Sequence, residues 1–246
     1  MGRKYNKPPI VEALCEFCFE PGLEWDITFP GLFYEKVRHN FPKKRTSRRI
    51  EFKKVPEAKE AQVRQEITTF IQFLREDEKA LVQITENLLV VNFLKPYPSW
   101  HQFYPEILDN LKKYIDLAKP KGVRRVGLRY INRIEFETER VKLEDYFNFY
   151  PHLSKNLPES HGYFIAGIHV LYEDGRDMLR MQLSTAESDR ADMLPILLDL
   201  DYFLNKPGEI GFDQIGQWLE VAHSHVEDTF EACITDKLRQ MFEEEA

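Results

Sequence analysis

Between Val11 and Glu20 the chain alternates strictly. Val11, Ala13, Cys15, Phe17 and Phe19 fall on one face, and Glu12, Leu14, Glu16, Cys18 and Glu20 on the other. A period of two is that of a half-buried strand, and Pro21-Gly22 ends it. The period then changes: in residues 30–41, PGLFYEKVRHNF, Leu32, Phe33, Val37 and Phe41 recur at helical spacing. Strand patterns follow at about 48–55, 63–75, 79–85 and 88–94, with REDEKA and TENL reading as hairpin turns between the last three. Helical spacing returns over about 98–117 through Phe103, Ile107, Leu111 and Ile115, until Pro120 and Gly122 stop it.

At about 124–136 the alternation restarts, with Val126, Leu128, Tyr130, Ile134 and Phe136 on one face. VKLEDYFNFY, 141–150, reads as a short helix. Strands are expected at 162–173 and 177–185 around Glu173-Asp174-Gly175, because Asp-Gly suits the left-handed positions of a type I′ turn. A further strand is expected at about 193–204 and one long helix at about 212–242, whose stripe runs Leu219, Ala222, Val226, Phe230, Cys233 and Leu238. The order strand, helix, four strands, helix in 1–120 is followed by strand, helix, about three strands, helix in 121–246. This predicts an α+β protein with one large, mostly antiparallel sheet. Two pseudo-repeated halves of TATA-binding-protein-like order would share it as a single unit, with helices packed on one face.

Charge adds a candidate surface. On the opening strand Glu12, Glu16 and Glu20 are four apart; on the strand at 124–136 so are Arg125, Arg129 and Arg133. If those strands are neighbours, the ladders pair with each other; the alternative is that the arginines meet an anionic ligand or partner by forked contacts. A second basic cluster, KKRTSRRIEFKK, holds Lys43, Lys44, Arg45, Arg48 and Arg49. It reads either as a solvated loop leading into a strand edge, where lysine blocks aggregation, or as a contact for an anionic partner, including nucleic acid. Only Phe52 interleaves an aromatic ring there, which is thin for single-strand binding. The net charge of −7 disfavours attraction to a bulk polyanion.

The remaining chemistry is sparse. Cys15 and Cys18 form a Cys-x-x-Cys, but residues three apart on a strand point to opposite faces, so Cys15 is expected in the core and the pair is neither redox nor metal-binding. His223 falls inside the long helix's stripe with Glu220 and Glu227 on either side. It is expected at the core edge, satisfied by a polar neighbour; a polar site or metal site around Glu220, His223 and Glu227 is the rival reading. His225 is expected in solvent, and Asp199 with Asp201 as a charged pair on a strand's solvent face. Phosphate-loop, dinucleotide, nucleophile-elbow and zinc-protease motifs are absent from the sequence, so no catalytic residue, metal or cofactor is expected. Three cysteines suit a reducing compartment. No apolar run reaches the roughly 20 residues a membrane helix needs.

YNKPPIVEALCEF, LRYINRIEF, HVLYEDGRDMLRMQLSTAE and the ending LEVAHSHVEDTFEACITDKLRQMF resemble the sporadically distributed prokaryotic TIGR04255 family over essentially the whole chain. The resemblance implies a bacterial or archaeal cytoplasmic protein and carries no site residues across. The leading functional expectation is a non-enzymatic binding module, monomeric or homodimeric. A nucleic-acid-binding accessory protein and an unrecognised enzyme or metal site at His223 are the alternatives.

Overall fold

The computed structural model describes residues 3–22, 25–54, 63–138, 140–154, 156, 162–190 and 192–243, and within these the side chains of 49–54 and 63–67 lie outside the description. The first half forms β1 (Ile10–Glu20), α1 (Phe29–Val37), β2 (Lys43–Lys54), β3 (Val63–Leu74), β4 (Ala80–Thr85), β5 (Leu88–Leu94) and α2 (Trp100–Ala118). The second forms β6 (Gly122–Phe136), β7 (Ile165–Tyr172), β8 (Asp177–Thr185), β9 (Leu194–Leu204), α3 (Ile215–Cys233) and α4 (Asp236–Met241). The strands make one nine-stranded antiparallel sheet in the order β2-β3-β4-β5-β1-β6-β9-β8-β7. In each half the opening strand lies beside the closing one, β1 beside β5 and β6 beside β9. The two opening strands then pair with each other at the centre.

The apolar set of each alternation faces the helices. Ala13, Cys15 and Phe17 are fully buried, with Val126, Leu128 and Phe136 beside them in the same core. Helix α2 begins where the Ser99 hydroxyl accepts the Gln102 amide, and ends at Lys119 in the left-handed conformation, φ 44°. It presents Phe103, Ile107, Leu111 and Tyr114 to the sheet, and Tyr114 stacks on Phe19 at 4.8 Å. The fourth core position is therefore Tyr114, not Ile115. Helix α3 covers the other half of the sheet with Trp218, Leu219, Ala222 and Val226.

Three sequence expectations are corrected. Residues 141–150 form only a single 3-10 turn, Leu143–Asp145, after which Phe147 bridges to Ile234. The long terminal helix is two: Ile234 is extended, with φ −112° and ψ 151°, and the Thr235 hydroxyl caps a new helix by accepting the Leu238 amide. A β-branched Ile-Thr pair yields readily to that bridge and cap. The hairpin at Asp174-Gly175 forms, but Glu173, Asp174 and Gly175 all have positive φ, and Tyr172 pairs with Asp177 across four loop residues rather than a two-residue type I′ turn. Among the described residues no helix is long and apolar enough to cross a membrane.

Candidate binding face

The polar sets of the strands share the opposite face of the sheet, which carries none of the residues of the helix-packed core. Two hydrogen-bonded chains run across it. In the first, Arg45 Nε donates to Gln72 Oε1 (2.8 Å) and Gln72 Nε2 to Gln83 Oε1 (2.7 Å). Gln83 Nε2 donates in turn to Asn92 Oδ1 (2.9 Å), and Asn92 Nδ2 to Glu12 Oε1 (2.6 Å). Every amide accepts from one neighbour and donates to the next, from a cation at one end to a carboxylate at the other. The dipoles therefore align head to tail and polarise one another. Gln72 and Asn92 are only 6% and 2% exposed, so this is a buried rail and not a solvated stripe. Phe70, Leu74, Leu81 and Val90 are buried beside it on the same face, outside the helix-packed core.

The second chain is ionic. Arg125 donates to Glu16 (2.6 Å) and to both oxygens of Asp201 (3.2 and 3.4 Å). Arg129 holds Asp199 by a fork at 2.7 and 2.5 Å. Arg180 Nη2 lies 3.5 Å from Asp201 and 3.7 Å from Asp199, and its buried Nε has no hydrogen-bond partner among the described residues. Burial pushes the Asp201 carboxyl above its ordinary pKa, against the pull of Arg125, Arg180 and Arg129. The Arg129 guanidinium is held further toward its charged form by its bond to Asp199. Gly127 makes room for this arrangement: a Cβ there would stand 2.7 Å from the Arg125 guanidinium, which crosses it to reach Glu16. The same guanidinium lies 4.6 Å over the Phe203 ring. Together the two chains bridge β2, β3, β4, β5, β1, β6, β9 and β8.

Several expected residues thus have different partners. Of the two ladders, only Arg125 meets a glutamate of β1; Arg129 turns to Asp199 and Arg133 to Glu135 and the Glu187 carbonyl. The register explains it. Arg129 stands opposite Leu14 on one side and Asp201 on the other, while Glu12 stands opposite Ile131 and gives its carboxylate to Asn92. Asp199 and Asp201 are 6% and 8% exposed, not a solvated pair. Of the basic cluster, Lys43 binds the Glu76 carbonyl and Glu78, Lys44 sits 4.0 Å over the Tyr34 ring and Arg45 begins the amide rail. Arg48 is exposed on the edge strand, and the side chain of Arg49 lies outside the described residues. Gln72, Gln83, Asn92 and Arg180 were not singled out from the sequence. Their signal was a lone polar residue in an apolar strand (TTFIQFL, ALVQIT, LLVVNFL), in phase with the polar face.

On the helix side, His223 stacks on Trp100 at 4.2 Å and meets the edge of Tyr130, whose hydroxyl shares a 3.0 Å hydrogen bond with Tyr97. Its Nδ1 is 3.7 Å from Glu227, beyond hydrogen-bond length, and Glu220 accepts from the Trp100 indole instead. Burial lowers the His223 pKa from 6.5 to about 4 and raises that of Glu227, so the pair is not ionised as a salt bridge at neutral pH. His225 is not in solvent; it packs between Tyr172 and Tyr202. Cys15 is buried in the core while Cys18 lies on the opposite face, and burial pushes the Cys18 thiol up to about 11, leaving neither as a ready thiolate. A cleft of about 160 Å³ lies elsewhere, lined by Trp25, Phe29, Leu32, Tyr114 and Leu117 among others.

The rail makes a testable prediction. Gln83→Leu should cost about 1–2 kcal/mol, because it strands the Gln72 donor and the Asn92 acceptor at buried positions. Urea denaturation reads this directly, and an unchanged midpoint would mean that the amides do not act as a chain.

No protein-family model matches this sequence, and comparison with curated proteins returns no match. The class is set by the coordinates alone: an α+β protein on one antiparallel sheet, whose helix-free face is bridged by paired charges and amides.

Proposed function

We propose that this chain is a non-enzymatic binding module that receives a protein partner on the helix-free face of its sheet. The observation that carries this reading is the fixed chain of amides and ion pairs that crosses the helix-free face from β2 to β8. On that face Leu14, Leu88, Ile131, Leu197 and Phe203 are partly exposed beside these fixed hydrogen-bonding groups, the mixture found at protein interfaces. The charges on it are balanced. Arg125, Arg129, Arg133 and Arg180 are set among Glu12, Glu16, Asp199 and Asp201, which favours a partner of mixed charge over a polyanion. The matching placement of β1 and β6 at the head of each half supports reading the halves as related units of TATA-binding-protein-like order.

The test compares capture of native partners by the wild-type chain and by two variants. Thr85→Arg with Leu88→Arg places new charge on the helix-free face; Asp213→Arg places it on the helical side. Loss of a stoichiometric partner from the first variant and its retention by the second is the expected result. A partner indifferent to Thr85 and Leu88 would defeat the proposal, as would binding only to DNA or RNA with a steep salt dependence.

A further inference from the structure

The two edges of the sheet differ in kind. Edge β2 is KKRTSRRIEFKK, and repeated charge of this sort blocks strand addition. Edge β7 is IAGIHVLY, eight residues without a Lys, Arg, Asp or Glu, paired among the described residues only to β8. Ile165, Ile168 and Leu171 are 58%, 50% and 62% exposed, and Tyr163 just before them is 76% exposed.

The ladder direction is readable. The Thr185 amide donates to the Phe164 carbonyl at 3.1 Å, which makes these opposed residues a hydrogen-bonded pair. Stepping by two, Ala166, Ile168, Val170 and Tyr172 turn their amides and carbonyls toward β8. Ile165, Gly167, His169 and Leu171 therefore turn theirs to the open edge.

We propose that β7 pairs antiparallel with β7 of a second copy of this chain, about a twofold axis through Ile168, joining two sheets into one. In that register Ile165 faces Leu171 of the second copy and Gly167 faces its His169. All four outward residues then exchange hydrogen bonds in both directions. Ile168 meets its own mate in a non-hydrogen-bonded pair, where side chains approach most closely. Moving the axis to Gly167 or His169 leaves an outward residue without a partner in the strand, and the second of these also sets imidazole against imidazole. The four exposed apolar residues present on the order of 500 Å² per copy, taking roughly 200 Å² for each in full. Edge pairing covers the part of this surface that faces the joining strand, Ile165 with Leu171 on one face of the sheet and Ile168 with its mate on the other, beside the ladder itself. A twofold, self-complementary contact also closes on itself and stops at the dimer.

The experiment uses the full chain. Sedimentation from about 1 to about 100 μM, the span a modest interface occupies, should show a dimer. Ile168→Lys, which sets two ammonium groups on the axis, should weaken it by at least about a hundredfold while the circular dichroism spectrum is unchanged. In a Cys18→Ser background, Ile168→Cys should form an intermolecular disulfide, because its mate lies about 4.5 Å away between Cα atoms. Ile165→Cys should not, since its mate would be about 20 Å along the strands. A monomer throughout the range overturns the proposal. So does a dimer that tolerates Ile168→Lys, cross-linking at Ile165 rather than Ile168, or uptake of a strand from a different protein in place of the second copy.

Discussion

Replacing Asp177 with alanine should remove about 3–5 kcal/mol of stability, a large part of the roughly 5–15 kcal/mol that holds a domain folded. Asp177 opens β8 on the helix-facing side and is completely buried. Its carboxylate accepts from the Trp218 indole (3.0 Å), the Tyr202 hydroxyl (3.2 Å) and the Arg176 guanidinium (2.6 and 3.1 Å). Alanine would leave the indole and phenol donors unpaired in the core and would free the guanidinium from the buried carboxylate it holds. The cost arises from those orphaned groups more than from the lost pair. Asp177→Asn keeps the volume but replaces one acceptor oxygen with a donor among donors, so it should recover only part of the loss. Urea denaturation at neutral pH measures both. An alanine variant within about 1 kcal/mol of wild type would show that water replaces the carboxylate, and that β8 and α3 are not fastened there.

Acidification should destabilise the protein through His223. Its imidazole is neutral when folded, with a pKa lowered from 6.5 to about 4 because burial against Trp100 and Tyr130 penalises the charged ring. Between those values the unfolded chain binds a proton that the folded one does not, so stability rises with pH across the window and is lost as pH falls from about 6.5 to about 4. A shift of this size corresponds to at most about 3 kcal/mol. Glu227 and Asp201 act in the opposite sense, since burial raises their pKa values and the fold then holds their protons more tightly than the unfolded chain does. His223→Phe keeps an aromatic ring against Trp100 and removes only the titration. The difference between wild type and variant, followed by denaturation at pH 7, 5.5 and 4.5, isolates the histidine. Parallel pH profiles would mean that the ring is solvated when folded.

The alternations at 11–20 and 124–136 are legible because a strand at a layer boundary has no freedom about which face meets the core. Phe17 and Phe136 point where their phase requires. The break at Ile234 is not legible. The residues on both sides suit a helix, and only the long-range bridge to Phe147 and the Thr235 cap divide it. The candidate face was half legible. Arg125, Arg129 and Arg133 were visible as a ladder, but their partners were not, because pairing follows the relative register of β1, β6 and β9.

The sequence by itself determined the periodicities: which segments are strands, save that β2 begins at Lys43 and not near residue 48, where α2 begins and ends, that Cys15 and Cys18 part to opposite faces, and that β2 is charged while β7 is not. Those are properties of neighbours along the chain. Only the tertiary structure decided that Asp199 and Asp201, 70 or more positions beyond the arginines they hold, belong to one ionic chain, and that four amide and carboxylate side chains follow Arg45 in a single rail. Such contacts depend on strand order and stagger, which closing the whole sheet fixes and no local pattern encodes.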